Sequence, residues 1–416
     1  MANLKTILTV AVAFVAAEQL FAQTEFSGTT MGPIAYRVLV CDDIENPGAI
    51  KSGIDNKLQQ VNSLMSTYIA DSDVSKINTS GANIWIEVDP LTLAVIQRAM
   101  AISEQTDGAF DITIGPAVRR WKFGPDADDV QYPSDDDVEE MLQYVGYKKV
   151  SIKPTPPSVK KSDARTQIDL SAIAKGFAVD HVVEYLKENS FENFMVEVGG
   201  EVYAAGKKPS GAWRIGIEKP KIGYQEISHA IDISDCAIAT SGDYRTVAMF
   251  EGKKITHTID PKTCRPVPNP PASCSVRAAD CMTADALATA IMVLGAKKGM
   301  KLCDSTRCDA HIVIRTGDAQ DGLTSYTTED FPAFVDQQEL RHSAKSEETS
   351  IWPAFIAALA IFSLAVLGMA VGAIFNQKPI SGSCGGIATT TGEDGESSCT
   401  LCHKPVADCP EKQETT

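Results

Sequence analysis

The sequence predicts an α+β domain outside the cytoplasm, followed by one membrane-spanning helix and a short cysteine-rich tail. Three observations carry this. Strand-like and helix-like stretches alternate irregularly from Thr24 to about Ser325, without the regular repeat of a parallel βαβ sheet. A run of 25 uncharged residues, Ile351 to Phe375, follows a polar segment. Four of the 11 cysteines then fall in the final 41 residues.

Taken in order, residues 1–22 carry Lys5, an uncharged stretch from Ile7 to Ala17, and "EQLFA" before Gln23, which reads as a secretory signal peptide. Residues 23–325 form the α+β domain. "AYRVLV" and "NIWIEV" alternate like strands, and "LTLAVIQRAMAISEQTDG" has helical spacing ending in glycine. "TQIDL" reads as a strand leading through a tight turn into the helix "SAIAKGFAVDHVVEYLKEN". "FMVEVGGEVYAAG" and "WRIGIEKP" read as neighbouring strands punctuated by glycine. Residues 326–350 are polar and charged, as a linker would be. As a helix, residues 351–375 would span roughly 37 Å, enough to cross a bilayer with some tilt. Residues 376–416 complete the chain.

Topology follows by counting crossings. If the N-terminal segment directs export, residues 23–350 lie outside the cytoplasm and the tail returns inside. This places the protein in a bacterial inner membrane with its large domain in the periplasm. Arg341 and Lys345 before the apolar run and Lys378 after it give no positive-inside signal. The formal net charge of −16 argues against a nucleic-acid partner, because phosphate neutralisation needs clustered Lys and Arg. The densest acidic stretch has a local explanation: Ser134 can cap a helix whose first turn is Asp135, Asp136 and Asp137.

Four stretches of the exported domain can carry chemistry, and each also has a plain structural explanation. "GTTMG" (Gly28 to Gly32) lets backbone approach a ligand, or simply turns. "GAFDITIGP" (Gly108 to Pro116) puts an acid between an aromatic residue and a strand. "THTIDPKT" sets His257 on a strand that stops at Asp-Pro. "TADALATAIMVLG" is a helix placing Asp285 and Thr289 one turn apart on one face, an oxygen pair suited to a hard cation such as Mg²⁺.

Together with "MSTY", "IDLSAIAKGFAVD", "VEVGGEVYAAG" and "ATSGDYR", these stretches stand in an order that resembles the ApbE family, the FAD:protein FMN transferases. The resemblance runs from Gly28 to beyond Gly295. It implies a two-lobed, T-fold-related α+β domain. It implies flavin-nucleotide contacts at Met31, Tyr68, Ala109, Phe110, Asp111, Asp169, Lys175 and Ile259. It further implies Mg²⁺ held by the Ala172 carbonyl, Asp285 and Thr289, with His257 activating the acceptor hydroxyl. The implied reaction moves FMN from FAD to a Thr or Ser side chain, forming a phosphoester and releasing AMP. One position departs from the pattern: the family's "DPxTG" is "DPKTC" here, with Cys264 in place of glycine, which implies altered turn geometry or a local disulfide.

The tail has its own resemblance. An apolar helix followed by "KPISGSCGG" and further cysteines is similar to the maturation factor of the sodium-pumping NADH:quinone oxidoreductase, which implies iron handling. That complex, or the related Rnf complex, would then supply the acceptor flavoprotein. Within the tail, "CTLCH" has the spacing for c-type haem attachment, but equally Cys384, Cys399, Cys402 and Cys409 could form a thiolate site for iron or zinc. A cytoplasmic tail favours the metal, since thiols there stay reduced. Two other readings stand beside the transferase: an FAD hydrolase giving FMN and AMP, and an electron carrier holding flavin and haem without turnover. Seven cysteines fall in the exported part, an odd number, so no disulfide pattern follows from sequence.

Overall fold

The computed structural model describes residues 23–123, 131–221, 226–244, 246–316 and 322–335, together with 390–391 and 397–398. Its centre is an eight-stranded antiparallel sheet. The order across it is Thr24–Thr30, Ile34–Val40, Phe194–Val198, Glu201–Ala205, Cys236–Gly242, Ser273–Ala278, Asp309–Arg315 and Leu323–Thr327. Neighbouring strands in the chain mostly pair directly. The exception is the excursion between Val40 and Phe194, which carries six α-helices and a small three-stranded sheet.

Side-chain alternation along the strands makes both faces apolar and sends each to a different core. Val38, Val40, Val196, Val198, Ala237 and Ala239 point into the larger core, beneath the helices Pro47–Met65, Ala174–Glu188 and Cys281–Leu294. Leu39, Met195 and Ile238 point the other way, onto the hairpin Trp213–Glu218/Ile227–Ile233. A third, smaller cluster joins Trp121, Phe123, Val138 and Met141 to Ile259 and Cys264.

Several helix starts carry side-chain caps. Asn46 and Asp89 accept backbone hydrogen bonds at the starts of Pro47–Met65 and Pro90–Gln105, and each helix opens on proline. Ser134 and Asp137 form a reciprocal capping box on Asp135–Tyr144, as expected of the acidic stretch.

Several strand expectations are corrected. "NIWIEV" pairs only over Ile86–Glu87. "TQIDL" joins no ladder; the Asn78 side chain instead satisfies both Ile168 backbone groups, at 2.6 and 2.8 Å. After "GAFD" no strand follows, because Asp111 accepts the Thr113 amide at 2.8 Å and turns the chain into the helix Gly115–Arg120. The strand before His257 ends at Thr256. "WRIGIEKP" belongs to the separate hairpin, not beside "FMVEVGGEVYAAG".

The domain also continues past residue 325. Strand Leu323–Thr327 completes the sheet, Phe331 is buried in the second cluster, and Phe334 bridges Ile231. A polar linker can therefore begin only after 335. Among the described residues no helix is long and apolar enough to cross a membrane. The expected signal peptide (1–22), the apolar run 351–375 and the four tail cysteines lie outside the described residues. In the tail, Thr390–Thr391 and Ser397–Ser398 pair with each other.

Candidate active site

A cavity of about 350 Å³ opens between the Cys281–Leu294 helix, the start of the Ala174–Glu188 helix, and the segments around Phe110 and His257. It collects Ala109, Phe110, Asp111, Asp169, Ala172, Lys175, His257, Ile259, Asp285 and Thr289 from four stretches far apart in sequence. Met31 and Tyr68, the other two expected flavin contacts, do not line it. Met31 sits at a hairpin turn in a left-handed conformation (φ 48°), partly buried against the main core. Tyr68 is 77% exposed.

The charged centre consists of three side chains. Lys175 Nζ lies 2.6 Å from Glu201 Oε1 and 3.5 Å from Asp285 Oδ1. Asp285 Oδ2 accepts the Gly176 amide at 3.1 Å. Both carboxylates are almost wholly buried. The Glu201 carboxyl is pushed above its ordinary range, first by burial and then by the neighbouring Asp285 charge. Thr289 Oγ1, one turn on from Asp285, faces Ser241 Oγ at 3.4 Å.

This geometry depends on how closely two helices approach. A Cβ on Gly176 would stand 2.4 Å from the Cys281 carbonyl oxygen, so only glycine fits there. One turn later, Asp180 accepts the Cys281 and Met282 amides, both at 2.8 Å, closing the start of the Asp285 helix. Burial raises the Asp180 carboxyl to about 7 in spite of those two donors. Asp280 caps the same helix through Thr283, at 2.8 Å.

The opposite wall belongs to the smaller cluster. His257 Nδ1 is 3.4 Å from the Thr246 carbonyl oxygen. A carbonyl only accepts, so the tautomer that donates to it from Nδ1 has its lone pair on Nε2. Asp111 lines the cavity, but both its oxygens are engaged, by Thr113 and by the Tyr147 amide at 2.7 Å. Its carboxyl is raised by burial. Asp169 accepts the Ser171 amide at 2.9 Å. Cys264, where the family has glycine, adopts φ 53° without a disulfide and is fully buried; burial pushes its thiol up to about 12. The turn is therefore kept, and Trp121 Nε1 donates to the Cys264 carbonyl at 2.7 Å.

Could these residues hold a divalent cation? Two carboxylates face a single ammonium, leaving one negative charge in excess, and Glu201 Oε2 is buried without a hydrogen-bond partner. With the Thr289 hydroxyl and Ala172 on the same cavity wall, the donor set is all oxygen and fits Mg²⁺. Glu201 and Ser241 were not singled out by sequence. Glu201 did leave a signal, being the one charged side chain in a strand buried along its whole length.

Residues 28–313 match the ApbE family. The chain belongs to the ApbE family. Its ApbE domain is 36% identical to an FAD:protein FMN transferase of Vibrio cholerae over 75% of this chain and 93% of that one. It is 35% identical to the corresponding transferase of Haemophilus influenzae, over 75% of this chain and 92% of that one. The solved flavin transferase ApbE from Vibrio cholerae superposes with a TM-score of 0.68 at 36% identity, covering 76% of this chain and 99% of that one. The mixed helix-and-sheet ApbE fold expected from sequence is thus observed. Residues 373–415 separately match the (Na+)-NQR maturation NqrM family.

Proposed function

We propose that the ApbE domain of this chain transfers FMN from FAD to a threonine or serine hydroxyl of an acceptor protein. The observation that carries this is one cavity lined by Lys175, Asp285, Thr289 and His257 together. The relatives named as FAD:protein FMN transferases support it. The acceptor oxygen forms a bond to the FMN phosphorus while the diphosphate P–O bond breaks, and AMP leaves with that oxygen. His257 Nε2 takes the hydroxyl proton. Lys175 brings positive charge to the diphosphate, and Asp111, engaged with Thr113 and Tyr147, fixes the turn that shapes the pocket beside Phe110. Asp285, Thr289 and the Ala172 carbonyl would hold Mg²⁺, which neutralises charge building on the phosphates.

The test is mass spectrometry of an acceptor incubated with the protein, FAD and Mg²⁺. A gain equal to FMN, abolished by chelator, is expected. Free FMN with an unmodified acceptor would replace the transferase with the hydrolase.

The placement of the domain outside the cytoplasm, on an inner membrane, and of the tail inside follows from the export signal and the apolar run. The match to (Na+)-NQR maturation NqrM supports a chain that both attaches flavin to a sodium-pumping NADH:quinone reductase, or a related Rnf complex, and handles iron for it. Cys384, Cys399, Cys402 and Cys409 would then hold Fe²⁺ or Zn²⁺ when reduced. The full chain should bind the metal, and Cys384→Ser should lower its stoichiometry. A haem stain surviving denaturation would overturn both the metal and the topology.

A further inference from the structure

We infer that Glu201 is a positioning residue that sets divalent-cation affinity by holding the Lys175 ammonium away from Asp285. The inference rests on the proposed metal role of Asp285. The three side chains form an unequal triangle. Lys175 makes a hydrogen-bonded ion pair of 2.6 Å with Glu201, whereas its 3.5 Å separation from Asp285 Oδ1 is too long for a hydrogen bond. Asp285 is thereby left with an oxygen that no short contact occupies, while its other oxygen is fixed by the Gly176 amide.

Glu201 is not present to complete a core. It is a charged side chain in the otherwise apolar strand Glu201–Ala205, 5% exposed, and only one of its oxygens is hydrogen-bonded. A buried carboxylate with an unsatisfied oxygen is costly unless something uses its charge. Lys175 uses it. Without that charge, the same ammonium has one carboxylate left within reach, Asp285. A metal would then have to displace a buried lysine before it could bind. The second oxygen, Oε2, is buried and has no hydrogen-bond partner, so packing alone does not account for the carboxylate.

Mn²⁺ binding to the full chain, followed by electron paramagnetic resonance, tests this without any turnover. Glu201→Gln is expected to weaken Mn²⁺ by at least about tenfold. In a Lys175→Gln background the same change should cost less than about threefold, because the competitor is gone. Equal affinity of E201Q and wild type overturns the inference, as does an undiminished penalty in the Lys175→Gln background, since charge alone would then explain the loss. Glu201→Asp covers the case of E201Q failing to fold. It retracts the carboxylate by one methylene, and its expected loss of about threefold should likewise vanish in the Lys175→Gln background; no loss overturns the inference. Wild-type protein that binds no Mn²⁺ overturns the metal assignment itself, and this inference with it.

Discussion

Asp285→Ala is expected to reduce Mg²⁺-dependent FMN transfer by at least about 10³-fold while the chain still folds, since a metal-stabilised transition state is worth several kcal/mol. The side chain is 3% exposed and links three things: the Gly176 amide, the Lys175 ammonium and the wall shared with Thr289. Alanine removes the carboxylate and leaves one amide donor unsatisfied, a stability cost of about 1–3 kcal/mol. The main helix contacts remain, because Asp180 and Asp280 hold the start of the helix independently. Initial rates against Mg²⁺ concentration, with a thermal unfolding curve as control, check the prediction. A folded variant retaining a tenth of the wild-type rate with the same Mg²⁺ dependence would remove Asp285 from the metal site.

His257→Ala should behave differently. General-base removal costs about 10²–10⁴-fold in rate. The ring packs edge-on against Phe123 of the smaller cluster and is assigned to the acceptor, so affinity for FAD should stay close to wild type. Flavin fluorescence titration and single-turnover transfer, measured on one preparation, separate the two effects. Loss of FAD binding, or a rate within tenfold of wild type, would count against the base assignment.

Much of the site could be read from the chain because its chemistry follows simple spacings. Asp285 and Thr289 share a helix face by the one-turn rule, and the structure places both on the cavity wall. Lys175, Asp169 and Ala172 were expected only from the family resemblance, and all three line the cavity. Glu201 was missed because its role depends on a crossing between a strand and a helix 26 residues apart in sequence, which no local pattern encodes. Two of the failed strand expectations share a cause. Around Ile168 and Asp111 a side chain takes the hydrogen bond that a neighbouring strand would have made, and apolar alternation cannot reveal such a substitution. All eight expected flavin contacts rested on family likeness; six of them line the pocket, and Met31 and Tyr68 do not.

The close crossing at Gly176 bears on how errors would show themselves in this enzyme. The donor of the hydrogen bond that orients Asp285 is a main-chain amide, so truncating side chains other than Asp285 itself leaves that donor in place. The added methyl of alanine at 176, by contrast, would meet the Cys281 carbonyl and drive the two helices apart. Every reacting group would still be present, yet the carboxylate would be aimed elsewhere. Inheritance at this position is therefore constrained by what must be missing: the tripeptide "AKG" contributes a cation from its second residue and an empty space from its third.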